Sequence, residues 1–293
     1  MSKPPLIAIV VFSIVSFIFM SCEKSDEEKK LRIKKTITNN IYLNSLNMEF
    51  SDTTEFFYNE AGLLSEVKES YGDGLRLFYN NSGQLSRVNV FEDYSHYTSY
   101  TIFYSYSNDS ISINYDNMDG YKEVAILNST GEVVKYEYQY LYDNWKTARR
   151  WEFTWLNGNL TRATEVFLGI QKKSGTIGKF YKKHFKRKFK LFCPVISSSM
   201  VEPDTSKGWE YTFMYDSKKN PFHSMDFFKL NVFPMNYSKN NIKAETGILI
   251  QNNHTNSYSV NYNYEYNGDG YPVRQTDTIN NLSEECIFEY EEY

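Results

Sequence analysis

An all-β fold, an antiparallel meander of repeated hairpins curled into a sheet or partial barrel with one wet face, is what three features of this sequence predict. The first is an internal repeat: residues 57–67 read FYNEAGLLSEV and residues 78–88 read FYNNSGQLSRV, identical at seven of eleven positions. The second is alternation. In Ser110-Ile111-Ser112-Ile113-Asn114-Tyr115 and in residues 257–264, SYSVNYNY, apolar or aromatic residues occupy every other position, the period of a strand with one buried side. The third is composition: 26 Tyr, 21 Phe and 4 Trp make up 17% of the 293 residues, and tyrosine suits a pleated surface because its ring covers the sheet while its hydroxyl stays hydrated.

Taken from the N-terminus, residues 1–21 read as an address. Lys3 is the positive residue ahead of Leu6–Met20, a stretch interrupted only by Ser13 and Ser16 and short of the roughly 20 apolar residues that a membrane-spanning helix requires. It ends at Phe19-Met20-Ser21-Cys22, which resembles a bacterial lipoprotein signal. That resemblance implies that Cys22 is lipidated (a palmitate-type acyl anchor) and becomes the first mature residue. An uncleaved anchor with an incidental cysteine is the alternative. Residues 22–30 form a tether: after Cys22 comes EKSDEEKK, a charged run without an apolar side chain. Its Ser25-Asp26-Glu27-Glu28 core resembles the signal that sends certain Gram-negative lipoproteins to the outer face of the outer membrane, so surface exposure is placed ahead of a periplasm-facing position.

Residues 31–293 read as one repeat-built β domain. Asn followed three residues later by Gly, as at Asn59/Gly62 and Asn80/Gly83, suits a type I turn with glycine accepting positive φ at its exit, the loop of a hairpin with a glycine bulge. Tyr58 and Tyr79 then end incoming strands, and Leu64–Val67 and Leu85–Val88 begin outgoing ones. Weaker copies recur at Asn128/Gly131, at Tyr266-Asn267/Gly270 and, shortened, at Asn157-Gly158; residues 115–120 and 215–221 carry copies with one extra loop residue. A period of about two dozen residues punctuated by turns is a meander.

The pattern Tyr-[Asn/Asp]-x-x-Gly-x-[Leu/Pro] resembles the YD-type repeat of bacterial surface and toxin-shell proteins. Together with the lipoprotein signal, it is similar to a family of Gram-negative envelope lipoproteins described as a domain of unknown function with a porin-like fold. The resemblance spans residues 31–293 and implies a long meander curled towards a barrel; it implies no activity and carries over no catalytic residue. A membrane-embedded barrel needs an outward apolar band, whereas Glu66, Lys68, Arg87 and Asn89 fall on the face opposite the apolar one. The expectation is therefore a barrel-like sheet standing in water, with Glu66 and Arg87, at equivalent repeat positions, suited to a cross-strand ion pair.

The hairpin pattern lapses over a basic insertion at 168–200. Residues 171–190 hold nine Lys or Arg and no acid, so removing that +9 from the chain's net −4 leaves −13 on the remainder. Ile177, Tyr181, Phe185, Phe189 and Phe192 share one helical face, while Phe185, Arg187 and Phe189 also alternate as in a strand; either a short helix or a long hairpin over 171–192 fits. Lys182, Lys183, Lys186, Arg187 and Lys188 are candidate ligands for an anionic glycan or lipopolysaccharide; a solvated face that balances the acidic body is the competing reading and the one favoured. Nucleic acid is a poor partner for a lipid-anchored envelope protein.

No catalytic motif stands out. The four histidines are dispersed, and no phosphate loop, serine elbow or metal-ligand spacing is present, so neither a cofactor nor a metal is expected. Trp145, Trp151, Trp155 and Trp209 are candidates for stacking on sugars, with core packing the commoner fate. Cys193 and Cys286 could form a bridge or remain as two buried thiols. These features favour a non-catalytic envelope module binding a glycan, a peptide or a partner protein. The alternatives are a glycan-acting hydrolase whose carboxylates are distant in sequence, and a purely structural surface protein.

Overall fold

The ribbon predicted from the repeat goes further than a partial barrel: it closes on itself. A computed structural model describes residues 30–42, 49–91, 98–141, 144–168, 208–223, 225–230, 234–251, 254–279 and 282–293. In chain order the strands are β1 (Leu31–Tyr42), β2 (Glu49–Tyr58), β3 (Leu64–Glu69), β4 (Gly74–Tyr79), β5 (Leu85–Phe91), β6 (Thr98–Tyr106), β7 (Ser110–Tyr115) and β8 (Tyr121–Leu127). They continue as β9 (Val133–Leu141), β10 (Trp145–Leu156), β11 (Asn159–Phe167), β12 (Gly208–Lys219), β13 (Asn240–Gln251), β14 (His254–Tyr266), β15 (Pro272–Ile279) and β16 (Leu282–Glu292). Each strand pairs with its neighbour in sequence, and β16 returns to β1. At that seam the Asn39 amide donates to Glu285 at 3.0 Å and the Thr38 hydroxyl lies 3.9 Å from the Cys286 sulfur. The described chain ends, residues 30–32 and 291–293, belong to a small separate unit, in which Arg32 Nε donates to Glu291 at 2.7 Å and the Tyr293 amide donates to Lys30 O.

The repeated sentence is the turn that the sequence predicts. Gly62 and Gly83 both have φ of 76°, and the Gly62 and Gly83 amides donate to Asn59 O and Asn80 O. The Asn80 carboxamide oxygen accepts the amides of Ser82 and Gln84, and Asn59, Asn128 and Asn267 act in the same way. A register shift follows at Phe57/Tyr58, Phe78/Tyr79, Ile126/Leu127 and Glu265/Tyr266, the extra residue of the bulge. Only glycine reaches that positive φ cheaply at the turn exit.

The structure also explains why tyrosine and the apolar residue two after glycine belong to the repeat. The Tyr79 hydroxyl donates to Leu64 O at 2.7 Å and the Tyr106 hydroxyl to Leu85 O at 2.9 Å. Trp155 Nε1 donates to Val133 O, Tyr215 to Leu160 O and Tyr290 to Pro272 O. In each case the acceptor is the residue two beyond a turn glycine, so each repeat hooks onto another through a backbone carbonyl beside the bulge. Each hook contributes about 1 kcal/mol.

Two sequence-based expectations need correction. Residues 215–219 do not form a turn: β12 runs on through Lys219, with register shifts after Met214 and after Tyr215. Glu66 does not pair with Arg87. Arg76 lies directly across the β3–β4 ladder and its Nε reaches Glu66 at 2.9 Å, whereas the Arg87 guanidinium lies 4.0 Å from the centroid of the Phe78 ring. The segment 171–192, for which a helix or hairpin is expected, lies outside the described residues. The α-helix that is described, α1 (Asp226–Lys229), lies in the β12–β13 connection.

Alternation sorts the two sides of the wall. Inward positions such as Ile111, Ile113, Val88, Leu85, Tyr136 and Trp151 are buried. Outward positions carry ion pairs, Arg162 with Glu210 at 2.7 Å and Arg274 with both Glu265 and Glu285, and cations laid over rings, Lys68 on Phe57 and Arg76 on Phe91. A barrel wall against lipid has the opposite polarity. At the end that carries the Gly62, Gly83, Gly131, Gly158 and Gly270 turns, the β12–β13 connection inserts Phe222, Met225, Phe227, Phe228 and Leu230 into the core. Asn220 fixes this plug: its side-chain oxygen accepts the Phe222 amide, and its amide group donates to Asn236 O and Ser238 O.

Candidate functional site

The inward positions are not uniformly apolar. Towards the other end, where Gly72 and Gly120 lie between strands, acids occupy the buried register and tyrosines surround them. On β8, Glu123 has the parity of Tyr121 and Ala125; its carboxylate accepts the hydroxyls of Tyr115 and Tyr121 at 2.9 and 2.7 Å and that of Tyr136 on its other oxygen. On β11, Glu165 forms an ion pair with Arg149 and accepts the Trp209 amide. The Arg149 guanidinium also lies over the Tyr138 and Trp151 rings. A buried charge of this kind is tolerable because its partner and its hydrogen bonds are in place.

The third group is different. Glu245 on β13 is 1% exposed, and its Oε1 accepts the Tyr258 hydroxyl at 2.5 Å. Gly247, directly opposite Tyr258, makes this contact possible, because a Cβ there would meet Tyr258 Cε1 at 2.4 Å. The ring lies flat over the glycine and its hydroxyl reaches back two residues along the strand to the acid. On the next ladder Tyr262 stands opposite Asp277, and Asp277 stands opposite Glu284. Glu245 Oε2 and Glu284 Oε2 are buried without a hydrogen-bond partner among the described residues.

Burial dominates the proton affinities of these acids. It pushes the Glu245 carboxyl up to about 7, against the opposing hydrogen bonds from Tyr258 and Tyr262 and with help from the charge of Asp277. Asp277 is pushed up to about 6 by burial, offset by Gln275. Glu284 is pushed up to about 8 by burial and then by Asp277. The surrounding phenols of Tyr211, Tyr258 and Tyr262 are raised too, by burial first and by Glu245 next. Near neutral pH Glu284 keeps its proton, Glu245 is close to its midpoint and Asp277 is mostly ionised, while the phenols stay neutral, so burial holds part of this interior uncharged.

Of the residues singled out in the sequence, Cys22, Lys182, Lys183, Lys186, Arg187, Lys188 and Cys193 lie outside the described residues, as does the side chain of Trp145. Trp151 is buried in the core and Trp155 is half-buried as one of the hooks. Trp209 is half-buried and stacks on Tyr211 with ring centroids 5.8 Å apart, beside the acid group. Cys286 is a buried thiol. The acids Glu123, Glu165, Glu245, Asp277 and Glu284 were not singled out, although a signal existed: Glu123 occupies the apolar phase of Tyr121-Lys122-Glu123-Val124-Ala125. Among the described residues no three His, Cys, Asp or Glu side chains converge as metal ligands.

No family model matches the chain, and no curated protein matches its sequence. Solved structures similar to it include a porin-like protein from Bacteroides uniformis, 13% identical, covering 88% of this chain and 98% of that one, with a TM-score of 0.37. A porin-like protein from Bacteroides vulgatus is 12% identical, covering 88% and 99%, with a TM-score of 0.39. The Photorhabdus luminescens Tc holotoxin pore is 11% identical over 77% of this chain and 11% of that one, with a TM-score of 0.29.

Proposed function

We propose that this protein is a lipid-anchored module of a Gram-negative cell envelope, tethered through Cys22 at the outer membrane, that uses its barrel as a non-catalytic scaffold for binding a glycan, a peptide or a partner protein. The observation that carries the reading is the polarity of the wall. Ion pairs such as Arg162–Glu210 face outwards while Leu85, Val88 and Trp151 face inwards, and Phe222 and Phe228 occupy the core at the turn end. A wall of that polarity belongs in water, and a filled interior serves rigidity rather than conduction. The basic block around Lys182, Lys183, Lys186 and Arg187 supplies an anion-binding element in this reading, with lipopolysaccharide or an acidic glycan as the ligand class. The hydrolase alternative is less favoured because Glu245 and Asp277 are buried among tyrosines rather than lining an open cleft.

One experiment tests both parts. The wild-type chain is expected in the membrane pellet of fractionated cells and Cys22→Ala in the soluble fraction; Cys22→Ala still pelleting after detergent-free washing contradicts the anchor. The released protein is then passed over immobilised lipopolysaccharide and heparin at low salt, beside the same protein with Lys182, Lys183, Lys186 and Arg187 all changed to Glu. Retention that the quadruple change abolishes is the expected result, and retention unaffected by it, or none at all, removes the basic block from the binding role.

A further inference from the structure

The charges on the outside of the barrel are not evenly spread. On the β11–β16 side outward cations are paired with acids, Arg162 with Glu210 and Arg274 with Glu265 and Glu285. Strands β4–β8 differ. Glu123 is the only acid within them and it is buried, so their outward positions carry Arg76, Arg87 and Lys122 and no carboxylate, although the chain outside residues 171–190 is acidic. At the edge of this panel, Glu66 of β3 is shared between Lys68 at 3.1 Å and Arg76 at 2.9 Å, two cations on one acid. Arg87 stands between rings instead, with Phe78 opposite it on one ladder and Phe103 on the other.

The registers order these groups. Phe78, Arg87, Phe103, Asn114 and Lys122 face one another across successive ladders, a row about 19 Å long at the usual strand spacing. Arg76, Asn89 and Thr101 form a second row beside it, about 7 Å further along the strands. The Arg87 guanidinium lies 4.0 Å from the Phe78 centroid and that of Arg76 lies 4.9 Å from the Phe91 centroid, while Phe103, 43% exposed, is the open ring beside Arg87. A guanidinium laid on a ring keeps its N–H donors around its edge, where they match a carboxylate bidentately.

Cations without acids on one wall call for an anionic partner. An extended peptide docks on a sheet by adding to a free strand edge, and the closed barrel has none. A bilayer surface calls for a continuous apolar face, and here Phe78 and Phe103 are separated by Arg87. A chain of pyranose rings bearing carboxylates fits all three features: its C–H faces lie on the rings, its carboxylates meet Arg87 and Lys122, and its hydroxyls meet Asn89 and Asn114. We infer that the outward face of β4–β8, centred on Arg87 and Phe103, binds a polysaccharide of uronic-acid residues. Such binding rests on the protein being the glycan-binding envelope module proposed above, and it uses residues other than those of the basic block.

Calorimetric titration of the full chain in mild detergent, at pH 7 and physiological ionic strength, with tetragalacturonate tests this face. The methyl ester of the same sugar, tetraglutamate and micelles carrying phosphatidylglycerol serve as comparisons. The expected result is binding of tetragalacturonate, none of its uncharged ester, and affinity weaker by about tenfold or more in each of Arg87→Gln and Phe103→Ala. Arg162→Gln, which removes a paired arginine from the opposite side, and the fourfold change to Glu in the basic block are expected to leave that affinity unaltered. Thermal melting shows that the outward substitutions spare the fold. Absence of heat with tetragalacturonate, an affinity that Arg87→Gln and Phe103→Ala both leave unchanged, or equal or tighter binding of tetraglutamate or of the micelles overturns the assignment. Affinity lost only with the change in the basic block also overturns it and returns the glycan to that block, so the two faces fail separately.

Discussion

Glu245→Gln is expected to stabilise the barrel at pH 8 and to flatten the dependence of its stability on pH. Burial raises the Glu245 carboxyl from its ordinary 4.5 to about 7 in the folded chain. Between those two values the folded state keeps a proton that the unfolded state has lost, so stability falls as pH rises. The contribution is fully present below the unfolded value and fully lost above about 7. A displacement of this size corresponds to roughly 3 kcal/mol. Asp277 and Glu284 are displaced in the same direction, and because their charges are coupled their effects overlap rather than add. The melting temperature of the wild type should therefore fall steadily from pH 5 to pH 9, while that of Glu245→Gln falls less and lies above it at pH 8. Parallel curves, or a wild type that gains stability across this range, contradict the assignment of Glu245 to an uncompensated interior position.

Phe228→Ala is the substitution expected to damage the fold most. The ring is fully buried, packs against Phe222 with centroids 4.9 Å apart and touches Phe227 at 5.8 Å. Phe222 in turn reaches Phe56 of β2 and Phe288 of β16, which lie on opposite sides of the β1 seam. Truncating Phe228 empties the centre of this plug, and buried phenylalanine truncations cost about 3–5 kcal/mol. For a chain of this size the melting temperature should drop by roughly 10 °C. Phe57→Ala, at an outward position 39% exposed, removes a ring of the same type and should shift stability by about 0.5 kcal/mol or less. Equal effects of the two substitutions would mean that the β12–β13 connection does not fill the core.

The local vocabulary of the fold was legible in the sequence, and its long-range grammar was not. Asn59 and Gly62, or Asn80 and Gly83, specify their turn within four residues, so the hairpins, their bulges and the alternating strands could be read directly. The role of Tyr79 could not, because its acceptor, Leu64 O, lies fifteen residues back in the preceding repeat and emerges only once the ladders are in register. Residues 215–219 mimic the repeat yet remain in a strand, since Tyr215 is held by Leu160 O and Ser238 and the chain turns only after Asn220. Closure into a full barrel depends on β1 meeting β16, a contact that no local pattern announces. For the candidate site the loss was greater. Glu245 and Asp277 become notable only when their register places them inside the wall, and a run such as Glu245-Thr246-Gly247 gives no hint that the glycine exists to seat Tyr258.

The central claim is that the apolar side of this barrel faces inwards and the charged side faces water. Single cysteines at Arg76 and Arg162, whose side chains are exposed, and at the buried neighbours Leu77 and Ala163, probe it most directly. They are introduced with Cys193 and Cys286 changed to serine, and intact membranes carrying the protein are treated with a membrane-impermeant maleimide. Rapid labelling of Arg76→Cys and Arg162→Cys, with Leu77→Cys and Ala163→Cys protected until the protein is denatured, is the predicted result. Protection at 76 and 162 together with labelling at 77 and 163, the pattern of a lipid-embedded barrel around a water-filled lumen, would contradict it.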